Sequence, residues 1–322
     1  MKQGLPDNRY KVRIQCSTYN HAKYIEDALT GFSMQQTSFP FVCCVMDDAS
    51  TDGEQEILKR WIDNHCNAED IEIYDHPLTI VLKAPDRKNR NCIYAIHLLK
   101  YNTWGKPERR ELLGHWRKLC AYEALCEGDD YWIDPLKLQR QVDFMEENSD
   151  YSICFHNAVI LNERVENREK ISSFCNFNKN QQISTQRLIE GWCIPTASVL
   201  YRVESLAQLK LPGFHSGDYT LELALASVGK VYYINRYMSV YRKNNGGVSV
   251  NISAKKWATQ LCELLDWYDK YTANRYKKDI DKSKKNALLL AKYIGLKKKC
   301  ILFPFLFMPY YTFQKLKRKF FN

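Results

Sequence analysis

Carboxylates recur in three short polar runs of this sequence: Asp47-Asp48, Glu127-Gly128-Asp129-Asp130 and Gly217-Asp218. Acids gathered in one place repel one another unless something neutralises them, and a divalent cation held by oxygen ligands does so. The second run sets two carboxylates two positions apart around a glycine. That spacing suits a metal that bridges diphosphate oxygens, and a glycine lets the diphosphate come close. A cation there stabilises the charge on a departing nucleotide. The competing reading is plain loop acids in solvent, or helix caps. Asp134, just before Pro135, fits a cap, and Asp130 alone fits either reading.

The flanking sequence has to bring these runs together. Residues 12–17 read as a strand that runs into the turn-forming cluster Thr18-Tyr19-Asn20-His21. Residues 24–34 have helical spacing, with Ile25, Ala28, Leu29 and Phe32 on one face. Residues 41–46 are a continuous apolar run of strand length that ends at Asp47, and residues 54–65 are again helical. This alternation predicts parallel strands with crossover helices, and ligands bind such sheets beyond the carboxyl ends of the strands. Further strands are expected at 71–73, 79–82, 122–126, 151–161 and 230–241. Helices are expected at 94–99, from Pro135 to about 147, at 219–228 and from 254 to 299. Residues 104–118 look like a polar, basic excursion, and 162–183 like a loop.

The chain has 322 residues, enough for one large α/β domain plus an appendage, and a net charge of +10. The lysines crowd into 270–300 and 314–319, whereas 120–150 is acidic, so an anionic partner is expected for the tail only. No nucleic-acid-binding motif accompanies those lysines. Residues 300–313 are apolar and aromatic between lysine clusters. A bilayer-spanning helix needs about 20 residues, so this stretch is expected to lie in a membrane interface. The twelve cysteines show no zinc-finger spacing and mostly sit in apolar runs, as buried thiols do. A polar start with no signal-peptide pattern points to the reducing cytosol. The 21 tyrosines and seven tryptophans offer flat surfaces for bases and sugar rings, although packing accounts for most of them.

Four stretches in order resemble the family 2 glycosyltransferases. Residues 12–20, then 24–29, then Gln36-Thr37, then 45–52 are similar to that family's opening. Its usual text is a strand, Thr-Tyr-Asn, a helix, Gln-Thr, a strand and Asp-Asp-Gly-Ser-Thr-Asp. Residues 127–144 resemble the metal-binding motif and following helix of a bacterial branch. Residues 217–219, Ala226, 238–242 and 246–249 resemble its acceptor side, so the likeness covers roughly residues 11–250.

The resemblance implies the GT-A fold: a Rossmann-like, mixed but mostly parallel sheet flanked by helices. Here it would carry a C-terminal helical extension that is basic and apolar. Residues 1–250 would form the transferase domain, with a donor half of about 1–134 and an acceptor half of about 135–250. The extension would be 251–322, with a membrane-interface segment at 300–319. The implied activity is inverting transfer of a sugar from a nucleoside-diphosphate donor to a glycan or lipid-linked acceptor. The place would be the cytoplasmic face of the plasma membrane, and the route surface polysaccharide or lipid-linked glycan synthesis.

By the same resemblance, Thr18, Tyr19 and Asn20 would line the nucleotide, and Asp48 would accept from the base ring. Glu127 and Gly128 would face the ribose and metal side, and Asp129 would ligate Mn2+ or Mg2+. Asp218 would be the general base, because an inverting transfer needs a carboxylate to take the acceptor proton. Arg90 and Asn91 stand where a third donor-contacting segment is expected. Glu222, one turn after Asp218, reads as a surface-helix residue. Three departures stand out. Ala49 replaces a glycine, residues 102–118 look inserted, and Asn244 stands where the branch often has histidine. Arg242 could serve the diphosphate in that histidine's place. A nucleotidyltransferase would share the strand–loop–carboxylate logic, but residues 18–21 are not its glycine-rich basic loop, and the other alternative is a non-catalytic nucleotide- or anion-binding module.

Overall fold

Strand β1 (Tyr10–Thr18) leads into helix α1 (Ile25–Ser33), then β2 (Phe41–Asp47) and α2 (Glu54–His65). The computed structural model describes residues 9–165, 171–211, 217–246 and 252–297. The amphipathic spacing of α1 puts Ile25, Ala28, Leu29 and Phe32 on its buried face. All seven residues of β2 are buried, as a parallel strand covered on both faces requires.

Next come β3 (Glu72–Asp75), β4 (Thr79–Pro85) and β5 (Cys92–Leu99), then α3 (Pro107–Arg117), β6 (Cys120–Leu125), β7 (Tyr131–Trp132) and α4 (Lys137–Glu147). Residues 94–99, expected to be helical, belong to β5. A short, wholly apolar run has no periodicity that separates a buried strand from a buried helix. Pro135 precedes α4 by two residues, and Asp134 Oδ1 accepts the Leu136 N–H at 2.8 Å, so Asp134 serves the turn that starts the helix.

The second half adds β8 (Tyr151–Asn162), β9 (Ile171–Ser173), β10 (Gln181–Ile183), α5 (Thr185–Ile189) and β11 (Leu200–Arg202). It ends with α6 (Val203–Leu206), α7 (Gly217–Val228), β12 (Lys230–Lys243), α8 (Ala254–Tyr271) and α9 (Lys277–Lys297). The polar stretch 162–183 therefore contains two short strands, β9 on β8 and β10 on β12.

One mixed sheet joins the described strands in the order β10-β12-β8-β11-β6-β1-β2-β5-β4-β3. Its centre is parallel, β6 to β1 to β2 to β5, so Thr18, Asp47 and Leu98 end at one edge. The antiparallel strand β11 lies between β6 and β8 and carries the sheet into the second half. One core packs around β1, β2, β5, α1, α2 and α4. The other gathers β8, β12, α5 and α7 with Leu264, Leu265 and Tyr268 of α8 and Ile280 of α9. The helical pair is thus packed onto the second core.

A buried cluster fixes α3 to the sheet. Glu123 accepts Arg13 at 2.7 Å, Arg117 at 2.8 Å and the Tyr201 hydroxyl at 2.5 Å. Removing one partner of such a buried set costs about 3–5 kcal/mol. The eleven described cysteines are free thiols, ten of them buried. Among the described residues no helix is long and apolar enough to cross a membrane. The lysine-flanked segment 300–319 lies outside them.

Candidate active site

The loops after β1 and β2 are stitched together by side chains. Thr18 Oγ1 donates to Glu54 Oε1 at 2.5 Å, and the His21 N–H and Ser50 hydroxyl both reach Glu54 Oε2 at 2.9 Å. Burial raises the Glu54 pKa, and the three donors oppose that rise. Asn20 is left-handed at φ 57° and takes the Thr51 N–H on its side-chain oxygen at 2.8 Å. Ala49 is left-handed too, at φ 61°. Glycine is free there and alanine costs roughly 1–2 kcal/mol, which gives the glycine of the family pattern its physical reason. Tyr19 is 46% exposed at the loop's rim.

Asp47 and Asp48 close β2. Asp47 Oδ1 accepts from Gln55 at 2.5 Å and from the Ser50 N–H at 3.1 Å. Asp48 Oδ1 accepts both the Thr103 N–H and its hydroxyl at 2.7 Å, and Arg109 stands 3.0 Å from Oδ2. The excursion at 102–118 therefore reaches into the site through Thr103 and Arg109. Sequence reasoning missed both. The available signal was Asn102-Thr103 just beyond the end of β5, but only once 94–99 is read as a strand.

The motif Glu127-Gly128-Asp129-Asp130 follows β6 and stays tied to β1, since the Gly128 N–H donates to Ser17 O at 3.1 Å. A Cβ on Gly128 would meet Thr18 Oγ1 at 2.2 Å. The glycine is thus required by Thr18, where the sequence suggested room for a diphosphate. Asp129 Oδ2 accepts Asn244 Nδ2 at 2.8 Å and lies 3.9 Å from His21 Nε2. Asp130 is buried, with Oδ1 on the Arg242 N–H at 2.8 Å and Oδ2 unpartnered. Burial, then Asp129, pushes its pKa well up. The Glu127 carboxyl is pushed up to about 8 by enclosure in the cleft, then by the charges of Asp218 and Asp129, with Arg109 opposing. Its side chain still reaches solvent, so the neighbouring charges weigh more here than the enclosure.

Asp218, in the first turn of α7, lies near enough to Glu127 for its charge to act there, and it accepts the Thr196 hydroxyl at 2.9 Å. Burial raises its pKa, with Thr196 opposing. Glu222, expected at the surface, is only 2% exposed. Neither of its oxygens has a hydrogen bond of ordinary geometry, and Trp192 is the near donor. Burial and then Asp218 raise its pKa well above the usual range.

Arg90, Asn91 and Arg242 each have partners within the protein. Arg90 and Asn91 precede β5, which runs parallel to β2, and so sit at the opposite edge of the sheet. Arg90 pairs with Asp70 at 2.7 Å, and Asn91 donates to Thr37 O at 2.7 Å. Arg242 is 7% exposed and already engaged. It pairs with Asp27, donates to Asp129 O at 3.0 Å and lies 4.3 Å from the Tyr131 ring centroid. Its guanidinium clamps α1 to β7 and to the Asp129 backbone.

A cleft of about 440 Å3 lies between residues 19–24, Glu163 and residues 244–246, beside Asp129. Among the described residues no three His, Cys, Asp or Glu side chains are gathered closely enough to enclose an ion. An ion at Asp129 would take most of its other ligands from a diphosphate and water. Mg2+ and Mn2+ sites on phosphates are built that way, so the donor set fits.

The sheet, its polar edge and its crossed halves have counterparts in known proteins. The fold is the GT-A fold. The crystal structure of TarS from S. aureus superposes with a TM-score of 0.54 at 16% identity, over 87% of this chain and 42% of that one. The TarS 1–349 fragment in complex with UDP gives 0.51 at 16% identity, over 82% of this chain and 70% of that one. Residues 16–79 match the model of Glycosyl transferase family 2. An uncharacterised Mycobacterium tuberculosis protein is 29% identical over 231 residues, 72% of this chain. This chain spans only 58% of that relative's length. TuaG of Bacillus subtilis, provisionally named a teichuronic acid biosynthesis glycosyltransferase, is 24% identical over 76% of this chain and 82% of its own length.

Proposed function

We propose that this chain is an inverting glycosyltransferase that moves a sugar from a nucleoside-diphosphate donor to an acceptor hydroxyl in cell-surface glycan synthesis. The observation that carries the proposal is the gathering of three acids from different elements: Glu127 lies near enough to both Asp129 and Asp218 for their charges to raise its pKa. The family match over residues 16–79 supports the donor side, and the name of TuaG supports the glycan class. The fold shared with TarS, solved with UDP, makes a uridine nucleotide the first donor to test.

In this reading Thr18, Tyr19 and Asn20 line the nucleoside, and Asp48 presents a carboxylate already fixed by Thr103 and Arg109. Glu127 and the Gly128 backbone face the ribose and diphosphate. Asp129 holds Mn2+ or Mg2+, which would neutralise the leaving diphosphate. Asp218 accepts the acceptor's hydroxyl proton. Its raised pKa makes it a better proton acceptor than an ordinary aspartate. The acceptor enters over α7, where Thr196 holds one oxygen of the Asp218 carboxylate.

Residues 1–250 form the catalytic unit in this proposal and 251–322 an extension whose segment 300–319 rests on the membrane. Truncation after residue 299 should abolish sedimentation with anionic liposomes, and unchanged sedimentation would remove the membrane claim. The decisive experiment on function is calorimetric titration of UDP, GDP, CMP and dTDP with Mn2+ and again with EDTA. Metal-dependent binding of one diphosphate supports the transferase. A folded protein that binds none overturns it.

A further inference from the structure

The loop position that carries a histidine in the related branch holds Asn244 here, and the structure shows what that asparagine does. Its Oδ1 accepts the Gly246 N–H at 2.9 Å, which turns its amide nitrogen to Asp129 Oδ2 at 2.8 Å. Asn244 therefore offers Asp129 an N–H and no lone pair. A second protein ligand beside Asp129 must come from elsewhere.

His21 faces the same oxygen from the other loop. Its Nε2 stands 3.9 Å from Asp129 Oδ2, too far for a hydrogen bond. Two ligands each about 2.1 Å from one ion lie roughly 3 Å apart at right angles and about 4 Å apart when splayed wide. The observed gap falls within that span. The ring's orientation is fixed from behind. Its Nδ1 is 3.3 Å from Thr18 Oγ1, and the Thr18 hydroxyl proton already goes to Glu54. At the Thr18 contact the ring must then be the donor, which puts the proton on Nδ1 and the lone pair on Nε2. A carboxylate–hydroxyl–imidazole chain of this kind is how metal-binding histidines are set in place. A Cβ on Gly128 would also lie only 3.2 Å from Nδ1, so the motif glycine makes room for the ring.

From this geometry we propose that His21 is a second protein ligand of the divalent cation, beside Asp129, and biases the site toward Mn2+ over Mg2+. The proposal rests on the donor and metal reading given above. Mg2+ takes oxygen ligands and gains little from an imidazole, whereas first-row transition ions accept one readily. Thr18 and Glu54 act through His21 and are positioning residues for it.

The test is pulsed electron paramagnetic resonance of the full chain loaded with Mn2+ and UDP, with GDP and dTDP in parallel. The expected result is nitrogen coupling from a directly bound imidazole in the wild type. It should be lost in His21→Ala, whose Mn2+ affinity falls at least about tenfold while its Mg2+ affinity barely moves. A wild-type Mn2+–nucleotide complex without imidazole coupling overturns the proposal and leaves the transferase standing. Folded wild-type protein that binds no Mn2+–nucleotide at all overturns both. Thr18→Val offers a second reading. It should weaken Mn2+ binding about 10- to 100-fold with the nitrogen coupling retained but altered.

Discussion

Asp48 and Glu54 of the first half and Asp218 and Glu222 of the second are treated in opposite ways. Asp48 takes two donors from Thr103 and an ion pair from Arg109, and Glu54 takes three donors, from Thr18, His21 and Ser50. Among the described residues Asp218 accepts from Thr196, and Trp192 is the donor near Glu222. A carboxylate wrapped in donors is fixed in place, and a ligand meets it without reorganisation. A carboxylate with few donors holds its proton more tightly and can exchange it with a substrate. The first arrangement suits recognition and the second suits proton transfer, so the two halves divide the labour that the proposed reaction requires.

The largest test of that division is Asp218→Asn. Turnover should fall by about 10^2- to 10^4-fold, with nucleotide affinity in calorimetry unchanged. Equal losses in binding and turnover would erase the contrast. Asp129→Ala should do the reverse at the first step and reduce nucleotide binding to the level that EDTA gives.

Gly128→Ala probes how tightly the recognition side is packed. Its Cβ would strike Thr18, so the variant should lose about 1–3 kcal/mol in denaturant unfolding and bind nucleotide more weakly. Glu222→Gln sharpens the other side. Because the folded pKa of Glu222 is raised, the folded protein binds a proton that the unfolded chain has released. Its penalty is therefore absent in acid and grows as pH rises above the ordinary glutamate value of 4.5. Melting temperatures of variant and wild type should match near pH 4 and separate in the variant's favour by pH 8. Arg90→Ala, at the far edge of the sheet, should leave nucleotide binding unmoved.

Much of the donor side was legible from the sequence because it is local. The strand 12–17, the helix 54–65 and the acids that follow the strands are each set by a run of neighbours, and the structure returns them with small changes of boundary. Residues 94–99 were misread because burial on both faces of β5 erases the alternation that marks a strand. That error carried a second one with it. Placing the donor segment before the run put Arg90 and Asn91 at the wrong edge, while Thr103 and Arg109 lay beyond its other end. Glu222 and Arg242 were hidden for a different reason. A charged residue on a helix or strand reads as exposed, and only the packing of α7 and of β12 against α1 buries these two.

Strand β11 gives the molecule a property of another kind. Three residues from late in the chain, Leu200–Arg202, sit between β6 and β8 and hydrogen-bond both ways. A chain divided near residue 134 would yield two pieces, each with a raw β edge that fits the other. Such pieces would be poor independent modules and good reassembly partners, so expressing them together would restore a whole sheet where neither piece alone has one.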